Sequence, residues 1–216
     1  MRRIRNGFRR TKLVRGLVSK KPGSVVRKRI EPVVFREWLR SGRQTRVTKA
    51  LIKFASQFHG SPKEIVEDVI LRLDSFDAVE VSDAVLKKLY AKRSADDIVR
   101  TKTILKGDAD AFKKHGIAGC LDECLVLCTV LRIHGVPAKF TRILDHSQVV
   151  FWNGSRWWLA DPFWDIVRAL SVNELAKHQS KMSAKRKTYA EGLDAWDIGI
   201  HSINDFFKYG RAGPSA

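Results

Sequence analysis

The strongest constraint on the fold of this chain is a hairpin signal in its second half. Two runs of strand-forming residues, 147–152 and 156–160, flank an Asn-Gly dipeptide at 153–154. Asn-Gly favours the backbone dihedrals of a two-residue turn between antiparallel strands. A further strand-like run, 138–144, precedes the hairpin. We therefore predict an antiparallel sheet in this part of the chain.

The same hairpin places a histidine against an aspartate. If the Asn-Gly dipeptide alone forms the turn, Trp152 faces Ser155. The same register puts His146 directly opposite Asp161, on one face of the sheet. Side chains in such a pair have Cβ atoms about 4.5–5.5 Å apart, so the carboxylate is able to hydrogen-bond the imidazole and stabilise its charged form. The register thus predicts an oriented general base, His146.

A helix is predicted to begin at Cys120. Cysteine and leucine recur at helical intervals from this residue onward, and a Gly-Val-Pro sequence at 135–137 ends the helix. Unpaired N–H groups and the macrodipole at the start of a helix favour a thiolate, which makes Cys120 the candidate nucleophile. Cys124 and Cys128 lie one and two turns further along, where we expect them to pack in the core as small apolar residues.

The three cysteines do not have the spacing of a metal site or a disulfide framework. Cys120 and Cys128 are about 12 Å apart along a helix, which is too far for one zinc ion with bonds of about 2.3 Å to sulfur. Cysteines crowded on one helix indicate a reducing compartment. No apolar run approaches the roughly 20 residues of a membrane-spanning helix, so we expect a soluble, cytoplasmic protein.

Positive charge is concentrated at the N-terminus. Of 41 Lys and Arg residues, 17 lie in the first 50 positions with only two acidic residues, so this segment carries +15 of the formal net charge of +18. Like charges at this density repel, and the few apolar residues do not offset the entropy of ordering the chain. We therefore expect residues 1–30 to be mobile in isolation. Three interpretations stay open: a solvated basic tail, an electrostatic contact with nucleic acid or another polyanion, and an organelle transit peptide.

The rest of the chain has the pattern of one domain. Helices are predicted over 45–58, 62–73 and 82–92, and Ser61 and Glu64 have the spacing of a capping box for the second of them. We divide the chain into a basic N-terminal arm, a domain and a disordered tail, over residues 1–46, 47–209 and 210–216.

The predicted helix and hairpin resemble the core of the transglutaminase-like superfamily. The stretch from Cys120 is similar to the nucleophile helix of that family, and the segment from His146 to Asp161 resembles its His strand and its Trp-x-x-Asp-Pro strand. The resemblance assigns the catalytic Cys, His and Asp to these three residues. It also implies an α+β, papain-like fold, in which helices pack on an antiparallel sheet and the Cys helix meets the His strand. The helix positions that carry the match are Cys120, Leu131-Arg132, Gly135-Val136-Pro137-Ala138 and Lys139.

The sequence departs from the family pattern at a few positions. Lys139 stands where the family usually has Arg, and Ala118 stands where a Gly is common. Gln148 and Val150 stand where an aromatic and an acidic residue often follow the His. These differences concern the substrate class more than the three site residues.

The expected activity is acyl transfer on a peptide or protein amide. Cys120 attacks the carbonyl, His146 exchanges the proton, and Asp161 orients His146. The thioester then passes to water, as in a thiol peptidase or amidase, or to an amine, as in a transglutaminase-like acyltransferase. The Cys120 N–H and a second donor from an upstream residue hold the oxyanion, and no metal or organic cofactor is required. The alternative is a non-catalytic binding module of the same fold, tethered to nucleic acid or an acidic partner by the basic arm.

Overall fold

The computed structural model describes residues 33–183 and 189–208. The predicted basic arm as far as residue 32, and the predicted tail from residue 210 to residue 216, lie outside the described residues. Within the described ranges, no helix combines the length and the apolar composition needed to cross a membrane.

The described chain belongs to the α+β class, with helices packed against an antiparallel sheet. The α-helices are α1 (Val33–Arg36), α2 (Lys49–Ala55), α3 (Pro62–Leu73), α4 (Asp83–Leu89), α5 (Ala95–Thr101), α6 (Ala109–His115), α7 (Cys120–Ile133), α8 (Val172–Ser183) and α9 (Ile203–Lys208). The strands are β1 (Asp77–Val81), β2 (Thr103–Gly107), β3 (Ala138–Ile143), β4 (His146–Trp152), β5 (Trp157–Asp161), β6 (Ile166–Ala169) and β7 (Tyr189–Gly192). Short 3₁₀ helices lie at Glu37–Leu39 and Pro162–Trp164.

The strands form two separate sheets. The larger has five strands in the order β6-β5-β4-β3-β7, and every neighbouring pair in it is antiparallel. The smaller consists of β1 and β2, which run parallel with Asp77 opposite Thr103. The predicted antiparallel sheet is therefore present and is larger than the hairpin alone.

Helix α7 is the central element of the core. Every residue from Cys120 to Arg132 is buried, because α7 contacts α2, α3 and α5 as well as β3 and β4. A helix that is buried all round is typical of a core position. The predicted start at Cys120 and the predicted end are both confirmed, since the helix ends at Ile133 and Gly135 takes a φ of +71°.

The capping signals at the start of α3 are confirmed. The helix spans the predicted residues, the Ser61 hydroxyl accepts a hydrogen bond from the Glu64 N–H, and the Glu64 carboxylate accepts one from the Ser61 N–H at 2.8 Å. A cap of this kind stabilises a helix by about 1 kcal/mol. The helices predicted over 45–58 and 82–92 are present in shorter form, as α2 and α4.

The predicted register of the hairpin is wrong by two residues. Trp152 pairs with Trp157, so residues 153–156 form a longer loop, closed by a 3.0 Å hydrogen bond from the Asn153 N–H to the Arg156 carbonyl. The indoles of Trp152 and Trp157 pack against each other at 5.7 Å, and Phe35 contacts both rings. This aromatic cluster favours the observed pairing. Because a slip of two residues keeps each side chain on its face, His146 and Asp161 stay on one face but are no longer directly opposite.

Residues just before the predicted domain boundary pack against the domain. Gln44 and Thr45 are buried, and the Gln44 N–H donates to the Asp194 carboxylate at 2.6 Å. The buried guanidinium of Arg132 donates to the Trp38 carbonyl and to the Thr45 hydroxyl. Residues 33–46, which the sequence placed in the arm, thus belong to the same compact unit as the helices and the sheet.

Candidate active site

The three site residues predicted from the sequence lie at the adjoining ends of three elements. Cys120 is the first residue of α7, His146 is the first residue of β4, and Asp161 is the last residue of β5. Helix α7 contacts β4 and the 3₁₀ helix that follows Asp161. The structure therefore brings the three side chains together: His146 hydrogen-bonds Asp161 and interacts with the Cys120 thiol.

The carboxylate of Asp161 is held from three directions. Its Oδ2 accepts hydrogen bonds from His146 Nε2 at 2.6 Å and from Gln148 Nε2 at 2.9 Å. Its Oδ1 accepts one from the Trp164 N–H at 3.3 Å and so caps the 3₁₀ helix. Because Asp161 is only 1% exposed, these bonds replace the water that an ionised carboxylate needs.

Sequence reasoning missed the role of Gln148. The sequence marks Gln148 only as a departure from the family pattern, whereas its amide donates a hydrogen bond to Asp161. Val149 pairs with Ala160 across β4 and β5, so Gln148 and Asp161 are the next residues in register. The signal that would have found this contact is the longer hairpin loop, because a two-residue turn places a different residue opposite Asp161.

The environment of His146 favours its protonated form. Burial lowers the pKa of the imidazole, but the hydrogen bond to Asp161 and the interactions with Cys120 and Asp161 outweigh burial and raise the pKa to about 10. The side chain of His146 keeps 21% of its surface exposed, so it is reachable from solvent. It therefore holds a proton through the neutral pH range.

The negative charge of Asp122, two residues after Cys120, is paired with the guanidinium of Arg93. The Asp122 carboxylate accepts hydrogen bonds from Arg93 Nη1 at 2.6 Å and from the Leu105 N–H at 3.0 Å. Burial raises the pKa of Asp122 to about 6, against the opposing effect of Arg93. The Asp122–Arg93 ion pair thus limits the repulsion that an acid in the first turn of α7 exerts on a Cys120 thiolate.

The three cysteines of α7 differ in their surroundings. Cys120 is 8% exposed, whereas Cys124 and Cys128 have no exposed surface, as predicted for core positions. Burial raises the pKa of Cys124 well above its usual value and that of Cys128 to about 12. All three are free thiols. Cys124 and Cys128 are therefore protonated at neutral pH.

Only glycine fits at position 119, just before α7, because the structure leaves no space for a side chain there. Its φ is +109°, in the region that favours glycine. A Cβ at this position would lie 2.4 Å from Cγ2 of Ile104, which is too short for a contact between carbon atoms that are not bonded to each other. Gly119 thus allows the chain to pass close to β2 immediately before Cys120.

A small pocket borders Cys120, and aromatic side chains lie beside His146. The Phe163 ring meets the His146 ring at 6.0 Å, and Trp164, which is 63% exposed, packs edge-on against Phe163. The pocket is lined by Tyr90, Ala91, Leu105, Ile117, Gly119, Cys120, Leu121 and Asp122.

Across the described parts of the chain, no three His, Cys, Asp or Glu side chains are grouped to hold a metal ion.

Comparisons with known proteins give one solved structure to report. No protein family model matches the sequence, and no curated protein matches it. The chain is similar to a protein from Cytophaga hutchinsonii that has been proposed to be a cysteine protease, with 13% identity and a TM-score of 0.49. The match covers 79% of this chain and 51% of that chain, so this chain spans about half the length of that protein.

Proposed function

We propose that this protein is a cysteine-dependent acyl-transfer enzyme with a papain-like fold of the transglutaminase-like type, acting on a peptide or protein amide. The observation that carries the proposal is the 2.6 Å hydrogen bond between His146 and Asp161, formed where His146 also interacts with Cys120. Because Asp161 occupies Nε2 of the imidazole, Nδ1 is the ring nitrogen left for the thiol. This arrangement has the parts of a nucleophile, a base and an orienting carboxylate.

The first half of the reaction forms a thioester. His146 carries the proton of the Cys120–His146 pair, and the Cys120 sulfur, as thiolate, forms a bond to the amide carbon while the carbonyl electron pair moves onto oxygen. The tetrahedral intermediate collapses, the carbonyl re-forms, and the bond from carbon to nitrogen breaks. His146 gives its proton to the departing amine.

The second half releases the Cys120 sulfur. His146 takes a proton from water or from an acceptor amine, which attacks the thioester carbon. Collapse of the second intermediate expels the Cys120 sulfur as thiolate, and His146 keeps the proton that it took from the acceptor, which restores the starting pair. Water as the acceptor makes the enzyme a peptidase or amidase, and an amine makes it a transamidase, with the same three residues in both cases.

The surroundings of Cys120 support this role over the same role for its neighbours. Its position at the first residue of α7 places it beside N–H groups that have no partner within the helix. Cys124 and Cys128 lack both this position and any exposed surface. The ion pair between Asp122 and Arg93 limits the repulsion between Asp122 and a Cys120 thiolate.

Alkylation with iodoacetamide, read by peptide mapping, tests whether Cys120 is the activated thiol. We expect Cys120 to react at least about tenfold faster than Cys124 and Cys128, because the thiolate is the reactive species. Cys120→Ala should remove the fast reaction. Cys128→Ala is the matched control on the same helix and should keep it.

Equal, slow alkylation of all three cysteines in the folded protein would overturn the proposal. That result would favour the non-catalytic binding module, whose fold is retained while the basic arm provides the contact with nucleic acid or an acidic partner. Such a module would also bind its partner equally well after Cys120→Ala.

A further inference from the structure

The hydroxyl of Tyr90 is a buried polar group that the proposed function leaves unexplained. Tyr90 is 3% exposed, and no atom in residues 33–183 or 189–208 forms a hydrogen bond with its hydroxyl. Buried polar side chains in native proteins are almost always hydrogen-bonded. A buried hydroxyl without a partner therefore calls for a functional explanation.

The location of Tyr90 suggests a function for its hydroxyl. Tyr90 lines the small pocket at the start of α7 together with Gly119, Cys120 and Leu121. The first intrahelical hydrogen bond of α7 runs from the Glu123 N–H to the Gly119 carbonyl, so the N–H groups of Cys120 and Leu121 have no acceptor within the helix. Tyr90, whose hydroxyl has no hydrogen-bond partner among the described residues, thus lines the same pocket as the two residues that carry these N–H groups.

We propose that the Tyr90 hydroxyl is the second donor of the oxyanion hole, acting beside the backbone N–H of Cys120. This inference rests on the proposed acyl transfer and names a residue that contacts the reacting oxygen. When the Cys120 sulfur bonds to the amide carbon, the carbonyl electron pair moves onto oxygen. The Tyr90 hydroxyl and the Cys120 N–H donate hydrogen bonds to this oxyanion. Both bonds weaken when the carbonyl re-forms and the amine departs with the proton from His146.

The backbone after Tyr90 is held in a conformation that alanine rarely adopts. Ala91 has a φ of +57°, and such a conformation persists only where the surrounding structure fixes it. The Ala91 carbonyl accepts hydrogen bonds from Trp196 Nε1 and from Gln44 Nε2 at 3.2 Å. Segments from both ends of the described chain therefore fix the turn that carries Tyr90.

The ring and the hydroxyl of Tyr90 are suited to donation. The ring packs edge-on against Phe206 at 5.3 Å, which restricts its rotation. Burial raises the pKa of Tyr90 well above its usual value, and the nearby Cys120 raises it further. The phenol consequently keeps its proton, as an oxyanion donor must, even when Cys120 is ionised.

Two chemical probes separate this role from a structural one. Acylation of Cys120 by p-nitrophenyl acetate passes through a tetrahedral oxyanion, whereas alkylation by iodoacetamide does not. We expect Tyr90→Phe to slow acylation at least about tenfold, given the roughly 10²- to 10³-fold effects known for oxyanion donors. Alkylation should change by no more than about twofold, because the triad is untouched.

Tyr189→Phe is the matched control, since it removes a buried phenol hydroxyl that donates to Glu191 at 3.0 Å, on β7. It should leave both rates unchanged. Melting temperature gives a further readout: Tyr90→Phe should melt at the wild-type temperature or above it, because no hydrogen bond in the described part of the chain is lost.

Three results would overturn the inference. Acylation of Tyr90→Phe at the wild-type rate would show that the hydroxyl does not contact the oxyanion. A parallel loss of acylation and alkylation, with a lower melting temperature, would assign Tyr90 a structural role. Failure of wild-type Cys120 to be acylated faster than Cys124 and Cys128 would instead overturn the proposed acyl transfer, on which this inference rests.

Discussion

Among the described residues, two side-chain hydrogen bonds between a histidine and an aspartate have the same length and different surroundings. His146 Nε2 lies 2.6 Å from Asp161 Oδ2, and His115 Nε2 lies 2.6 Å from Asp83 Oδ1. Both histidines are at least partly buried. The length of the bond therefore does not identify a catalytic pair, and the neighbours of each pair have to be compared.

The neighbours of the two aspartates are different. Asp83 keeps 28% of its side chain exposed and also binds Lys114 and Lys87, at 2.8 and 2.9 Å. Hydrogen bonds from Lys114, Lys87 and His115, in that order, hold the pKa of Asp83 far below its usual value. Asp161 is almost fully buried, and its partners besides His146 are the Gln148 amide and the Trp164 N–H.

The positions of the two pairs explain the difference. Asp83 begins α4 and His115 ends α6, and these are the helix termini that favour an acidic and a basic side chain respectively. That pair connects two helices. His146 lies instead beside Cys120 at the start of α7. Of the two pairs, the one formed by His146 and Asp161 has a thiol beside its imidazole.

The largest expected effect separates the two histidines by reaction rate. His146→Ala should slow acylation of Cys120 by p-nitrophenyl acetate about 10²- to 10⁴-fold, which is the usual contribution of a general base. His115→Ala should leave acylation within about twofold of wild type, because it lies outside the site. It should lower the free energy of unfolding by about 1–3 kcal/mol through loss of the bond to Asp83. Acylation rates and urea unfolding of both variants are the measurements.

Equal losses of acylation in the two histidine variants would contradict this contrast. It would mean that the rate reports general damage to the fold. Circular dichroism of each variant provides the control, since both should retain the secondary structure of the wild-type protein.

The next effect is on the titration of His146. Its pKa of about 10 lies above the usual value of 6.5, so the charged imidazole stabilises the folded state fully below pH 6.5. This stabilisation is lost as the pH rises towards 10. Asp161→Asn should lower the pKa of His146 by more than about one unit, because it removes the strongest of the effects that raise it. Asp83→Asn should leave the titration unchanged. The ring-proton NMR signals of His146 follow both.

A His146 that titrates near its usual value in wild-type protein would disprove the expected stabilisation of the imidazolium. So would an unchanged titration in Asp161→Asn. Either result would mean that the hydrogen bond to Asp161 does not stabilise the charged form.

Local sequence signals are sufficient to predict helices whose ends are marked by capping residues or by glycine and proline. The cap formed by Ser61 and Glu64 predicts the start of the helix over 62–73, whereas the helical spacing of cysteine and leucine predicts α7 and the Gly-Val-Pro sequence predicts its end. The hairpin register was predicted wrongly from an equally local signal. Packing between Trp152 and Trp157 favours the observed register, and this contact cannot be read from the Asn-Gly dipeptide.

Parts that depend on distant contacts could not be predicted. Strand β1 is mostly exposed and has no alternating apolar pattern, and its partner β2 follows two helices later. The sequence placed Cys120, His146 and Asp161 as site candidates, because two of them lie in one hairpin and the third begins a helix. Tyr90 reaches the pocket only through the turn at Ala91, which residues far along the chain hold in place.

The smallest expected effect concerns Gln148, a positioning residue that acts through Asp161. Gln148→Ala removes the 2.9 Å hydrogen bond to Oδ2 but leaves those from His146 and Trp164. Because the carboxylate keeps two of its three partners, we expect acylation to slow only about two- to tenfold, the cost of one hydrogen bond at roughly 0.5–1.5 kcal/mol. Gln148→Glu offers a sharper readout than the rate, since a second carboxylate beside Asp161 should raise the pKa of His146 above that in Gln148→Ala. Identical His146 titrations in the two variants would mean that Gln148 does not act through Asp161, and that its amide serves only the packing of the sheet.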